Sequence, residues 1–200
     1  MSFDFSNIKK RPIVIISGPR TGSTALAYYV ANLYPTVPFF NEPNFTPALM
    51  DKFIDYSIET KKNDYILKLL GSALNSYPAD TIATIFSNET FKIKISRKNI
   101  IEQIASYYIA YYRDMWIYTK DDGTYQDLAT IDIEFDLLKI RHSIGRVLHD
   151  NDILSKISAD AELYYEDFTD ILSPIKKTPL PTNYDSLIDI IKKLYCPVVN

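Results

Sequence analysis

The chain is poor in several features that would place it in particular classes of protein. Cys196 is the only cysteine among 200 residues, so no disulfide can form within the chain. The apolar stretch 13–16 is far too short to span a membrane, and no signal-peptide core precedes it. The net charge of −3 lacks the basic excess typical of nucleic-acid-binding domains. We therefore expect one soluble, cytoplasmic domain over residues 1–200 that binds no nucleic acid.

Histidine is scarce as well, which narrows the choice of catalytic bases and metal ligands. The two histidines, His142 and His149, lie seven residues apart on a predicted helix. We expect both to pack or to face solvent, and no group of residues has the spacing of a metal site. The sequence therefore predicts no metal cofactor. Tyrosine and phenylalanine are plentiful, at 16 and 10 residues, so a single aromatic says little about ligand binding.

Hydrophobic patterning predicts an α/β fold. The β-branched run Ile13–Ile16 is typical of a strand buried on both faces, and strands are also expected at 91–95 and 161–165. The proline-rich stretch 35–47 is expected to be a loop. Strands that alternate with helices favour a parallel sheet flanked by helices in three layers. Helical spacing predicts helices at about 23–33, 48–62, 64–77, 99–112, 135–149 and 184–195.

Three polar segments begin where predicted strands end, at 17–24, 96–106 and 165–167. Parallel sheets bind their ligands at the carboxyl ends of the strands. We therefore expect a ligand site built from these three segments.

The first of these segments has the chemistry of an anion site. It joins a buried strand to a helix, whose N-terminus presents free N–H groups and the positive end of the helix dipole. Gly22 lets the backbone approach a phosphate closely. Ser23 and Thr24 add hydroxyl donors, and Arg20 adds a positive charge. The alternative is an ordinary strand–helix turn that a serine or threonine caps.

The loop is not a Walker A motif. That motif has four residues between its glycines and a Lys-Ser or Lys-Thr pair after the second glycine. Three residues separate Gly18 from Gly22 here, and no lysine follows. A Mg-nucleotide hydrolase is therefore disfavoured.

This loop, with the sequence Gly18-Pro-Arg-Thr-Gly-Ser-Thr24, resembles the 5′-phosphosulfate-binding loop of sulfotransferases. It is most similar to the arginine-containing form of the tyrosylprotein and trehalose-type enzymes, whereas cytosolic sulfotransferases carry a lysine where Arg20 stands. The resemblance implies a P-loop-like fold and the donor 3′-phosphoadenosine-5′-phosphosulfate (PAPS). It implies a catalytic Arg20 that stabilises charge on the transferring group. It also implies that the 5′-phosphosulfate is held by Arg20, Thr21, Gly22, Ser23 and Thr24.

Two later segments resemble further motifs of the same family. Arg97 and Ser106 resemble its 3′-phosphate motif, an arginine at a strand end and a serine on the next helix, which implies that both bind that phosphate. Tyr165, within Leu163-Tyr-Tyr-Glu-Asp-Phe168, resembles the tyrosine that contacts the adenine. The alternatives are an exposed arginine with a solvent-facing serine, and a tyrosine that only packs.

Glu42 is the candidate catalytic base. Several arginine-type sulfotransferases have a glutamate in a loop at this distance after the phosphosulfate loop. Neighbouring residues such as Phe39, Phe40 and Phe45 would desolvate the Glu42 carboxylate and raise its pKa. The alternative is a solvated loop carboxylate.

The resemblance implies PAPS-dependent transfer of a sulfuryl group to an acceptor hydroxyl or amine, with release of 3′-phosphoadenosine 5′-phosphate (PAP) and without a metal. We expect a small-molecule, carbohydrate or other hydroxyl-bearing acceptor, bound by residues 35–62 and 119–134. An ATP-dependent, kinase-like phosphotransferase and a non-catalytic PAP- or nucleotide-binding module are the alternatives.

Overall fold

The structure, a computed structural model, describes residues 3–9, 12–43, 46–59, 64–114, 131–168 and 180–195. The strands are β1 (Ile13–Ser17), β2 (Phe39–Asn41), β3 (Ile66–Leu70), β4 (Phe91–Ser96) and β5 (Ala161–Tyr164). The helices are α1 (Ser23–Leu33), α2 (Pro47–Glu59), α3 (Ala79–Ile85), α4 (Ile100–Arg113), α5 (Leu137–Ser155) and α6 (Tyr184–Tyr195). Short 3-10 helices span Phe5–Asn7, Gly71–Ser76 and Tyr165–Asp167.

The chain forms two compact units. The first consists of Met1–Ser96 with Asp150–Leu172, and the second of Arg97–His149 with Ser173–Asn200. All five strands belong to the first unit, and α4 and α6 belong to the second. The expectation of a single domain over 1–200 stays a prediction, because the compactness of two units does not decide whether they fold together.

The sheet of the first unit is parallel throughout, in the order β2-β3-β1-β4-β5. From β1 the chain crosses over β3 to β2, which lies on one side of β1 in the strand order. From β3 it then crosses over β1 to β4, which lies on the other side of β1. Such a reversal creates a crevice at the carboxyl ends of the strands on either side of it, here β1 and β4. The predicted α/β fold with a parallel sheet flanked by helices is therefore confirmed.

One face of the sheet packs on a largely apolar core. Val14 and Ile16 of β1 and Leu67 and Leu69 of β3 are fully buried in it. Phe53 of α2 lies at its centre, where its ring meets neighbouring aromatic rings edge-on. Since side chains alternate along a strand, the residues between these four belong to the opposite face.

The helix predicted at 64–77 is wrong. This segment contains β3 followed by the 3-10 helix Gly71–Ser76. A short apolar run fits a buried strand and a buried helix equally well, so periodicity alone misleads here. The predicted loop 35–47 also contains the short strand β2, and α3 was not predicted.

Two lysines lie in the interior strand β4, and both ammonium groups have polar partners. The Lys94 ammonium donates to the carbonyl oxygen of Ile157 at 3.2 Å and pairs with the carboxylate of Glu162 at 2.5 Å. The Lys92 ammonium donates to the carbonyl oxygen of Ser87 at 3.1 Å. Their apolar stems are thus buried while their charged ends reach polar groups at the rim of the sheet.

The second unit has its own apolar core between α4, α5 and α6. Ile104 and Tyr108 of α4, Val147 of α5, and Leu187 of α6 are all fully buried in it. The Tyr108 hydroxyl donates to the carbonyl oxygen of Glu134 at 2.5 Å, so this buried polar group is satisfied. This core fixes the helix that carries Ser106.

Helix α5, with 19 residues, is the longest helix in the described ranges, and its buried residues are separated by charged ones. Neither it nor any other helix in those ranges combines the length and the apolar character that crossing a membrane requires.

Candidate functional site

The loop between β1 and α1 has the backbone conformation of an anion site. Arg20 and Gly22 both have positive φ, at 60° and 71°, with Thr21 between them. Such alternation turns successive N–H groups toward one concavity, which suits an anion. Gly22 is the N-cap of α1, and no side chain caps that end of the helix. A serine or threonine as the cap of this turn is therefore wrong, because the N-cap glycine has no side chain that could accept from the first N–H groups of α1.

Two hydroxyls of the loop brace it from within. The Ser17 hydroxyl donates to the Ser23 hydroxyl at 2.7 Å, and the Thr21 hydroxyl donates to the carbonyl oxygen of Gly18 at 3.0 Å. Thr21 is fully buried and Ser23 is 4% exposed, whereas Thr24 is half-buried. An anion at this loop would therefore meet backbone N–H groups of Thr21 and Ser23 more readily than their side-chain oxygens.

Glu42 lies immediately after β2 and is buried, with 8% of its surface exposed. The alternative of a solvated loop carboxylate is therefore wrong. The Glu42 carboxylate forms an ion pair with the Lys68 ammonium of β3, and the Glu42 N–H donates to the carbonyl oxygen of Lys68 at 2.7 Å. Backbone and side chain of Glu42 are thus both fixed to the same residue of the neighbouring strand.

The conformation of Glu42 explains how it reaches Lys68. Asn41 pairs with Lys68 in the sheet, so their side chains share a face. A regular strand would direct the next side chain, Glu42, to the other face. Glu42 instead has a φ of 46°, and this left-handed turn returns its carboxylate to the face of Lys68.

Strand order brings a second cation to this pair. Because β3 lies between β1 and β2 in the sheet, Lys68 stands between the loop that follows β1 and the end of β2. Burial, and to a smaller degree the Arg20 guanidinium, lower the pKa of Lys68 to about 7. The contact with the Glu42 carboxylate acts in the opposite direction. Arg20, Lys68 and Glu42 therefore form one electrostatically coupled group in the first unit, which we call the Arg20–Lys68–Glu42 cluster.

Tyr165 begins the 3-10 helix that follows β5, at the same edge of the sheet as the Arg20 loop. It is half-buried, and its ring meets that of Phe168 edge-on with centroids 6.2 Å apart. A half-buried ring is compatible with both interpretations of this tyrosine, as an adenine contact and as a packing residue.

In the second unit, Arg97 forms a local ion pair at the start of α4. Its guanidinium lies 2.8 Å from the Glu102 carboxylate, and its side chain is only 13% exposed, so it is not a surface arginine. Asn99 caps α4 by accepting from the Glu102 N–H at 3.2 Å. Ser106 is half-buried one turn further along the helix. A phosphate bound by Arg97 would have to compete with Glu102 for the guanidinium.

Tyr184 of α6 also belongs to the surroundings of Arg97. Burial, with a smaller contribution from the Glu102 carboxylate and against that of the Arg97 guanidinium, raises the pKa of the Tyr184 hydroxyl. Sequence reasoning gave this tyrosine no role, since nothing in a sequence links it to α4.

Lys68 is the principal residue of the site that sequence reasoning missed. The available signal was a lysine in the middle of the apolar run Ile66–Leu70, where burial without a partner carries a high cost. The helix prediction hid this signal, because a helix could have turned Lys68 to solvent.

The remaining sequence predictions concern the histidines, a metal site and the acceptor segments. Both histidines are exposed, and the His142 ring lies against that of Tyr111. No group of residues that could hold a metal ion occurs in the described ranges. Phe45 and residues 60–62 and 119–130 of the predicted acceptor segments lie outside them.

Comparison with known proteins does not assign the chain to a family. No protein-family model matches the chain. No curated protein matches it at a significant level.

Proposed function

We propose that this protein is a sulfotransferase that moves a sulfuryl group from PAPS to an acceptor hydroxyl or amine and releases PAP. The loop between β1 and α1 is the observation that carries the proposal. Its sequence resembles an arginine-type phosphosulfate loop, and its backbone combines two positive φ values with a helix whose N-cap is a glycine. These features suit a bound anion better than a simple connection between strand and helix.

The residues of the first unit supply the groups that sulfuryl transfer needs. In this reaction the acceptor oxygen or nitrogen attacks sulfur, the bond from sulfur to the bridging phosphate oxygen breaks, and the acceptor loses a proton. Arg20 and the N–H groups at the start of α1 would stabilise the negative charge that develops on the bridging oxygen. Glu42 would take the proton, since it is a carboxylate at the same edge of the sheet.

The other predicted contacts rest on the family resemblance. Arg97 and Ser106 would bind the 3′-phosphate, and Tyr165 would contact the adenine. The low exposure of Arg97 agrees with a binding role, because a buried guanidinium loses less to solvent when it meets a phosphate. The P-loop-like type of the fold belongs to the same proposal.

Calorimetric titration with three ligands tests the proposal directly. The purified protein is titrated with PAP, with adenosine 5′-phosphosulfate and with Mg-ATP. We expect tight binding of PAP and much weaker binding of the two ligands that lack a 3′-phosphate. Arg20→Ala should weaken PAP binding about tenfold to a hundredfold, because it removes a charge-assisted hydrogen bond. Arg141→Ala, at an exposed arginine of α5, is the control and should leave the affinity unchanged.

This titration, together with an assay of transfer from PAPS, separates the two alternatives. Preference for Mg-ATP would indicate the kinase-like phosphotransferase and overturn the proposal. Binding of PAP without transfer from PAPS to any of a panel of sugars, phenols and amines would indicate the non-catalytic module. Absence of binding to all three ligands would refute the cofactor assignment.

A further inference from the structure

Lys68 has a position that the proposed reaction does not by itself require. It is 2% exposed, its ammonium pairs with the Glu42 carboxylate, and its strand β3 lies between β2 and β1, the strand that leads into the Arg20 loop. A buried lysine is stable only when its charge is paired or its proton is lost. Its two neighbours have opposite charge, so they act on its proton in opposite directions.

Within the described residues, helix α1 and the strand partners of Lys68 carry no further ionised group. Helix α1, which packs on β3, has no acidic or basic side chain over its whole length, and its two tyrosines are exposed. The strand partners of Lys68 are Ile15 and Asn41, which carry no charge. The charge state of Lys68 therefore depends chiefly on Glu42, on Arg20 and on whatever occupies the Arg20 loop.

We propose that Lys68 is a positioning residue: it holds the Glu42 carboxylate ionised and turned toward the Arg20 loop, and it takes up a proton when an anion binds at that loop. This inference deepens the proposed function and rests on it for the anion site. It adds a coupling between the donor site and the candidate base.

The coupling follows from the charges of the cluster. Without an anion, burial and the Arg20 cation lower the pKa of Lys68 against the effect of the Glu42 carboxylate, so Lys68 gives up its proton more readily than an ordinary lysine. An anion at the loop offsets the charge of Arg20 and raises the pKa of Lys68 again. The proton that Lys68 gains comes from solvent. Glu42 is then paired with a full positive charge and stays a carboxylate, ready to accept a proton while the donor is bound.

Proton uptake on binding is measurable without knowing the acceptor. PAP is titrated calorimetrically at pH 7 in two buffers with different ionisation enthalpies, and the difference gives the protons taken up. We expect up to about half a proton per PAP from Lys68, because a group with a pKa of about 7 is half protonated there. We also expect the PAP affinity to fall as pH rises through 7.

Lys68→Met should remove this contribution, since methionine keeps the apolar stem and loses the proton site. Lys94→Met is the matched control: Lys94 is a lysine of β4 whose side chain is only 12% exposed, but its partner is Glu162. It should show the wild-type uptake. Protons taken up by PAP itself are common to all three proteins and cancel in the comparison.

A second measurement reports on Glu42 itself. Carbon-13 NMR of the labelled glutamate carboxyls, assigned with Glu42→Gln, follows the titration of Glu42 in each variant. We expect the pKa of Glu42 to rise by at least one unit in Lys68→Met, where the buried carboxylate loses its cation. Lys68→Arg should keep Glu42 ionised but lose the proton uptake, because arginine stays protonated. This variant and the wild-type titration keep the test valid if Lys68→Met does not fold.

The outcomes separate the two proposals. Equal proton uptake in the wild type and Lys68→Met, or an unchanged Glu42 titration, would overturn the role of Lys68 while leaving PAP binding intact. If PAP does not bind, the same titrations with inorganic pyrophosphate decide whether the loop is an anion site coupled to Lys68. Failure of both ligands to bind would refute the anion site and the coupling together.

Discussion

Arg20 and Glu42 each hold a left-handed backbone conformation, and both lie beside Lys68. Such a conformation costs a residue other than glycine about 1–2 kcal/mol, so it persists only where the surroundings impose it. Asp114, the other such residue in the described ranges, ends α4, where left-handed geometry is common. The strain at Arg20 and Glu42 is therefore concentrated at the candidate site.

The buried charge of Lys68 predicts a pH-dependent stability. Its pKa is about 7 in the folded protein against an ordinary value of 10.5, so between these values the unfolded chain binds more protons. The free energy of unfolding should therefore rise with pH across this range, by up to about 1.4 kcal/mol per pH unit. Urea unfolding at several pH values between about 7.5 and 9.5 measures this slope.

The titration of the buried Tyr65 hydroxyl limits the pH range in which this slope can be measured. Burial raises the pKa of its hydroxyl to about 12, so above an ordinary value of 10.0 the folded protein holds the extra proton and stability falls with pH. Below that range, Lys68→Met should flatten the slope and Lys94→Met should keep it. An unchanged slope in Lys68→Met would show that Lys68 is fully charged in the folded protein.

Among the elements, the last turns of α5 are tied to the end of β3. Asp150, fully buried, accepts from the Ser72 N–H at 2.6 Å at the start of the 3-10 helix. Gly71 allows this approach, because a Cβ there would lie 3.3 Å from the carbonyl oxygen of Asp150. The contact fixes the carboxyl end of the strand that carries Lys68.

Asp150→Ala should lower the free energy of unfolding by about 1–3 kcal/mol, because it leaves the Ser72 N–H without its acceptor. Asp150→Asn keeps an acceptor oxygen and should cost less. The control is Asp152→Ala, which removes an exposed pair with Lys156 and should cost about 0.5 kcal/mol or less. Denaturant unfolding measures all three, and equal losses for Asp150→Ala and Asp152→Ala would contradict the assigned contact.

For the molecule as a whole, each of the two units has an apolar core of its own within the described ranges. The net charge of −3 gives no broad positive field, so any attraction of an anion must come from local groups such as Arg20 and Arg97. In the first unit, Phe53 joins α2 to the sheet through its contacts with Phe40 and Tyr65.

Phe53→Ala should lower the free energy of unfolding by about 3–5 kcal/mol, because it leaves a cavity among aromatic rings. Leu49→Ala lies one turn earlier on α2, where the leucine is 46% exposed, and should cost less than about 1 kcal/mol. Thermal or urea unfolding measures both. Similar losses would mean that α2 does not pack on the sheet through Phe53.

Local sequence patterns were sufficient to predict the elements whose burial pattern is unambiguous. The β-branched run of β1, the alternation in β4 and the helical stripes of α1, α4 and α6 predicted their elements to within about two residues. The Arg20 loop was also singled out from sequence, because glycine, charge and strand ends are local features, and Glu42 was singled out by the family resemblance. Prediction failed for short apolar runs, because a segment such as Ile66–Leu70 fits the periodicity of a strand and that of a helix equally well.

Which of these residues come into contact depends on the arrangement of the strands in the folded chain. The place of β3 between β1 and β2 brings Lys68 to Glu42 and Arg20, although 26 positions separate Lys68 from Glu42 in the sequence. Strand order depends on the packing of the whole sheet, and the turn at Glu42 is imposed by its partner on the next strand. Periodicity records which side of an element is buried, but it carries no information about which residue lies opposite.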